Sequence, residues 1–394
     1  MYIPILTDII PGYIILLGIG FFIISAIFLK KTNFFYNYLD PTIIVFFQIL
    51  FTFFVLVTLG LMSFGHILSF ISFLFILLYF DKSISSKFNK VLITEKKWIE
   101  FSSFFFVIVL IMNIYLFSTK GLLLFQEDVG ISKVEFYQGA GIFKRINQVA
   151  VPIFALVSFY RWYEGRKQIA LIYIFFSVYL LTTLGSKAAL IDLLFIFGAY
   201  SRFKKIKINY TKMLPIFIGI FSSSLFVFYL IYGDSFIGKF GYRIITFSDG
   251  PVYYFYDNLS RYINYPLTYM FDQFFVGIRI QDVLKFDSLG PLINSLYFNF
   301  DNELYGPNPQ IFVEADVMMK NYYFFYYAIL AMIFILGRKL MATPFSFILM
   351  NTFISPLLID SQYAFSNLFS LIILLFLFFF YSLTKKLLLI NERF

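Results

Sequence analysis

Apolar positions come in long blocks along this chain, and charged positions gather between the blocks. The blocks fall at 9–29, 42–61, 64–80, 98–117, 146–160, 169–184, 188–200, 213–232, 322–336, 343–359 and 363–383. Many approach the ~20 apolar residues that a helix needs to cross a hydrocarbon core. The pattern predicts an all-α polytopic membrane protein of about 11 transmembrane helices, forming one integral membrane domain over residues 1–394. Tight turns are expected at Met62 to Gly65 and at Gly185 to Lys187. The first block is long enough to span and ends in Lys30-Lys31, so it reads as a span rather than a cleavable leader.

Charge sets an orientation. With Lys30 and Lys31 in the cytoplasm and the spans alternating, 20 of the 31 Lys and Arg residues fall inside, against 6 of the 22 acids. Every inner loop is then net basic, as the positive-inside rule requires. The N-terminus is expected in the periplasm and the C-terminus in the cytoplasm. Two long outer segments follow, 118–145 and 233–321, the second lying between spans eight and nine. Long non-spanning segments in a compact protein are usually functional.

Composition narrows the chemistry. Charged residues make up 13% of the chain, where a soluble domain carries about 25%. The net charge of +9 serves topology rather than a nucleic-acid partner. Zero cysteines exclude disulfides and thiolate catalysis. The single histidine, His66, leaves no histidine metal cluster or Ser-His-Asp triad, and it reads as a polar turn residue. No metal or other cofactor is expected.

The segment ELYGPNPQIFVEAD (303–316) is polar and turn-rich in an otherwise apolar chain. Asn308 reads as an N-cap and Pro309 as the first helical residue of a short helix running to Lys320 at the membrane surface. Phe312, Ala315 and Met319 would share its apolar face, with Glu314 on another.

Upstream, GYRIITFSDGPVYYFYDNLSRY (241–262) sets Arg243 and Arg261 beside Asp249, Asp257 and aromatics such as Tyr253. Guanidinium forks suit phosphate oxygens, and aromatic faces suit sugars or the headgroup zone. An interfacial aromatic belt with ordinary ion pairs reads equally from these residues. Arg279 adds a further outward cation, and so does Arg145 in GIFKRINQ. In TTLGSKAALID (182–192), Lys187 marks an outward turn and Asp192 lies deeper, where an intramembrane acid is a functional hypothesis.

Three of these stretches resemble a family. LTTLGSKAAL is similar to a Thr-Gly-Ser-Arg helical turn, with Lys187 in the place of arginine. YGPNPQIFVEA is similar to a Gly-x-Thr-Pro…Glu segment, with Asn308 for threonine, and GIFKRINQVAVP resembles an Arg-bearing span start. Together with the span count and the large outer loop, they resemble the Wzy-type oligosaccharide repeat-unit (O-antigen) polymerases. The aromatic-x-x-Phe-Gly continuation usual there after the Glu is replaced by Asp316, Val317, Met318 and Met319.

The resemblance implies a GT-C-like, metal-independent glycosyltransferase in the bacterial inner membrane. Its substrates would be undecaprenyl-diphosphate-linked glycans, and a chain-length regulator is an implied partner. Glu314, Arg243 and Asp249 would be catalytic. Arg145, Lys187, Arg261, Arg279, Tyr253 and Asn308 would bind diphosphate and sugar. The alternatives are a lipid-linked oligosaccharide flippase or other polysaccharide transporter, and an O-antigen ligase-like transferase. Against transport stands the lack of a visible pseudo-repeat.

Overall fold

The computed structural model describes residues 41–84, 93–121, 136–137, 140–184, 189–206, 249–298 and 307–391, with isolated positions at 215, 219 and 222. The predicted spans 9–29 and 213–232, with Lys30 and Lys31, lie essentially outside the described residues. In chain order the helices are α1 (Pro41–Thr58), α2 (Phe64–Ile84), α3 (Glu95–Lys120), α4 (Gly141–Tyr163), α5 (Lys167–Thr183) and α6 (Ala189–Phe203). There follow α7 (Asp249–Tyr256), α8 (Asp272–Gly277), α9 (Leu289–Phe298) and α10 (Gln310–Met319), then α11 (Tyr323–Lys339), α12 (Pro344–Ile354) and α13 (Ser361–Asn391). No strand occurs among the described residues.

Each predicted span within the described residues is helical. Among the described residues, four helical stretches are long and apolar enough to cross a membrane: Glu95–Lys120, Gly141–Tyr163, Gln310–Lys339 and Ser361–Leu387. Exposure along the helices shows why. On α2, Phe64, Leu68, Ile71, Phe75 and Tyr79 are exposed at helical spacing, and on α13 Ile372, Phe376, Phe379, Leu383 and Leu387 repeat the pattern. An exposed stripe as apolar as the buried one suits lipid as the surrounding solvent, since a helix satisfies its own backbone groups there.

The chain sorts into two compact units, each discontinuous in sequence. One contains α3 to α6, α12 and most of α13. Its centre is α4, buried from Ile146 through Val157 except at Gln148, and packed by α3, α5 and α6. A polar chain links three of these helices to residue 137. Asn113 and Asn147 exchange side-chain hydrogen bonds of 3.0 and 3.2 Å, Asn147 donates to the Tyr137 hydroxyl, and Tyr137 donates to Thr183. Such side-chain bonds hold helices together where lipid removes the hydrophobic drive for association. Gly165, at φ +82, closes α4 in the left-handed conformation that ends many helices, and α5 begins two residues later.

The second unit contains α1, α2, α7 to α10, most of α11, and residues 354–364. It carries the candidate site. The described part of the predicted outer segment is folded here: α7, α8, α9 and two 3-10 turns, at Leu259–Arg261 and Leu267–Phe271, occupy 249–298. The candidate span Gln310–Lys339 is not one straight rod. Lys320 at φ +42 ends α10, and the 3-10 turn Lys320–Tyr322 precedes α11.

Candidate functional site

α10 differs from the surface helix expected of 309–320. Every residue from Gln310 to Met318 is buried, so it has no solvated face. The cause is packing on all sides, by α7, the 3-10 turns Leu267–Phe271 and Pro356–Leu358, and the turn that leads into α11. Pro309 stands at the cap position in helical conformation (φ −68°, ψ −32°) with no side-chain cap, and Asn308 is exposed. The Asn308 side chain therefore does not cap this helix. Instead the Gln310 amide, at φ +55, donates to the Ile359 carbonyl at 2.8 Å.

Two acids on α10 look in different directions, because residues two apart on a helix lie about 200° apart around the axis. Glu314 is 0% exposed. Its Oε1 accepts from the Ser361 amide at 2.7 Å and the Ser361 hydroxyl at 2.9 Å, and its Oε2 accepts from the Tyr326 hydroxyl at 2.6 Å. Ser361 opens α13, so Glu314 satisfies one of the unpaired amides at a helix start and sits at the positive end of its dipole. Asp360, the residue before Ser361, accepts from the Tyr363 amide at 3.0 Å and caps the same helix.

Asp316 is 8% exposed and accepts from Tyr254 of α7 at 2.7 Å and Tyr323 of α11 at 2.8 Å. Burial, then the neighbouring carboxylate, pushes the Tyr254 hydroxyl well above its ordinary value, so it stays a donor. Tyr323 in turn stacks on the His66 ring (4.1 Å between centroids, 10° between planes). His66 Nε2 lies 2.7 Å from the Tyr327 hydroxyl. His66 is thus a buried residue of α2, not a solvated turn residue, because two tyrosines of α11 cover it. Neither Glu314 nor Asp316 pairs with a Lys or Arg among the described residues. Both acids are held by neutral donors.

The other sequence-predicted positions are spread across this unit and the other. Tyr253 is buried and stacks on Tyr297 at 4.3 Å. Arg261 and Arg279 are exposed, Arg279 in the left-handed region at φ +60. Asp249 is the first residue of α7. Gly250, next to it, lies so close to Asn308 that an added Cβ would meet the Asn308 carbonyl carbon at 2.9 Å. Asn308, although not a cap, is therefore where the two segments touch. Arg145 sits half-buried in the first turns of α4, in the other unit, and Asp192 lies in α6. Arg243 and Lys187 lie outside the described residues.

Comparison of the chain with protein-family models, with curated proteins and with solved structures found no match.

Sequence reasoning missed Asp316, Ser361, the burial of His66, and Asp272. Asp272 is buried and accepts from the Gln281 side chain and from the Lys285 and Phe286 amides, at 2.9 and 3.2 Å for the amides. A tyrosine-rich approach to α11 (Tyr322, Tyr323, Tyr326, Tyr327) was the available signal for donors facing Asp316 and Glu314.

Proposed function

We propose that this chain is a glycosyltransferase that polymerises undecaprenyl-diphosphate-linked repeat units at the periplasmic face of a bacterial inner membrane, with its N-terminus periplasmic and its C-terminus cytoplasmic. One observation carries most weight. The Arg- and Tyr-rich segment and the Gly-Pro-Asn-Pro segment pack on each other, through Gly250 against Asn308 and Tyr254 against Asp316. Sixty-two residues separate Tyr254 from Asp316, and these two segments carry most of the residues to which the reading gives roles.

The chemistry asks for little else. The hydroxyl oxygen of an incoming unit attacks the anomeric carbon of the growing glycan. The bond to the diphosphate oxygen breaks, and undecaprenyl diphosphate leaves with the electron pair. Its negative charge calls for cations, which Arg261 and Arg279 present at the surface, joined in this reading by Arg243. The hydroxyl proton needs a carboxylate. We assign that role to Asp249, at the start of α7, because Glu314 already satisfies three donors at the start of α13.

The test is a glycan gel from host cells with the gene disrupted, and again with wild type, Arg261→Ala or Asp249→Asn restored at equal abundance. Disruption should collapse the ladder to single repeat units on the outer face, wild type should restore it, and both variants should fail to. An intact ladder in the disrupted strain defeats the reading. Repeat units trapped on the cytoplasmic face would identify a transporter instead.

A further inference from the structure

The loop between α8 and α9 has an unusual build. Its backbone is folded around Asp272, whose carboxylate takes the Gln281 side chain and the Lys285 and Phe286 amides, while the Asp272 carbonyl takes Gln281 again at 3.1 Å. Ile280 continues the turn of α8 by donating to the Phe275 carbonyl at 3.0 Å. Phe286 anchors the far end against Tyr265 and Tyr269. A buried acid and an aromatic cluster thus fix a loop whose tip is apolar and outward. Ile280 is 69% exposed and Val283 73%, with Leu284 beside them at 44%. A well-braced loop does not expose three branched aliphatic side chains in water without cost.

We infer that this tip is a membrane-inserting wedge, which seats Ile280, Val283 and Leu284 at the boundary between lipid headgroups and acyl chains. Three observations choose lipid over a protein partner. The chain has helices long and apolar enough to cross a membrane, and the segment bearing the loop is tied to one of them, the Tyr265 amide donating to the Val317 carbonyl of α10 at 3.2 Å. Three side chains are far too few for a specific protein interface, which takes about 800 Å² from each partner. Arg279 and Lys285 flank the tip, and both are exposed, so their stems follow the apolar residues inward while their charges stay at the phosphates. Asp282 and Asp287 are exposed on the same loop and offset those two cations. Insertion is therefore driven by apolar contact and not by net charge. This inference does not depend on the glycosyltransferase reading.

The chain has no cysteine, so Val283→Cys gives it one labelling site. Purified protein carrying an environment-sensitive fluorophore there is reconstituted in phosphatidylcholine vesicles and in phosphatidylethanolamine/phosphatidylglycerol vesicles. Its emission should be blue-shifted and quenched by spin-labelled lipids but not by aqueous iodide. The result should be the same in both vesicles, and at low and high salt. The unlabelled Val283→Cys thiol should also react slowly with a membrane-impermeant maleimide, faster once Asp272→Asn loosens the loop. Iodide quenching with fast maleimide reaction in vesicles overturns the inference and leaves the tip for a protein partner. Insertion that needs anionic lipid overturns the apolar mechanism.

Discussion

The Tyr326 hydroxyl lies 2.6 Å from Oε2 of Glu314, twelve residues back along the chain, and joins α11 to α10 across the break at Lys320. Ser361 holds the other oxygen of the same carboxylate. One fully buried acid therefore fixes three helices.

Removing that acid should destabilise the protein more than its size suggests. Glu314→Ala leaves a cavity and three buried donors without an acceptor, each worth about 1–3 kcal/mol of desolvation. The expected loss is roughly 3 kcal/mol or more. Glu314→Gln fills the same volume and keeps an acceptor for the two Ser361 donors, so its loss should stay within about 1 kcal/mol. Thermal unfolding in detergent, followed by the fluorescence of Trp98 and Trp162, separates the two. Equal melting temperatures for Glu314→Ala and wild type would remove the bracing role.

Asp360 gives a dependence on pH. Loss of water raises its carboxyl above the ordinary aspartate value, and the Tyr363 and Gln362 amides only partly oppose this. A carboxyl raised by folding contributes stability that is complete below its unfolded value and is lost as pH rises through its folded value. Stability should therefore fall as pH rises from the normal carboxylate range upward. Asp360→Asn retains a good cap and cannot ionise, so it should flatten that slope. Asp360→Ala also flattens it, but costs about 0.5–2 kcal/mol at every pH. A slope unchanged in Asp360→Asn would place its origin in another group.

What was legible in the sequence follows from what lipid demands. Long apolar blocks located the helices, but their ends were drawn short. Glu95, Lys96 and Lys97 stop an apolar run without stopping α3, and α13 continues through Lys385 and Lys386. The candidate site was half legible. Pro309 and Glu314 marked a helix, yet its burial depends on Ile359 and Ser361, which come together with it only through the tertiary fold. His66 looked like a turn residue because the tyrosines that cover it lie some 260 positions away.

Orientation can be read with reporter fusions. Alkaline phosphatase joined after Asn89 or Lys207 should be inactive, and joined near Tyr254 active, if the Lys and Arg bias orients the chain as the proposed topology has it. Activity at Lys207 would reverse the topology and place the α7 to α9 segment in the cytoplasm.

The contact between Gly250 and Asn308 offers a test whose sign is decisive. Gly250 is the second residue of α7, so helix propensity alone says that Gly250→Ala should stabilise, by up to about 0.5–1 kcal/mol, the value for a helix interior. Geometry says the opposite. The new methyl would press on the backbone carbonyl of Asn308, with its carbon at 2.9 Å and the Pro307 Cβ at 3.4 Å. Backbone cannot swing aside as a flexible side chain can, so α7 must shift from the Pro307-Asn308 backbone, at about 1–3 kcal/mol as for other overpacked sites. The contacted atoms at Asn308 belong to the main chain, and its side chain is exposed and caps nothing. Asn308→Ala should thus change stability by no more than about 0.5 kcal/mol, where a lost helix cap would cost about 0.5–2. Unfolding curves of both variants beside wild type suffice. A stabilised Gly250→Ala would mean that the two segments do not meet as described, and the strongest support for the proposed function would go with that contact.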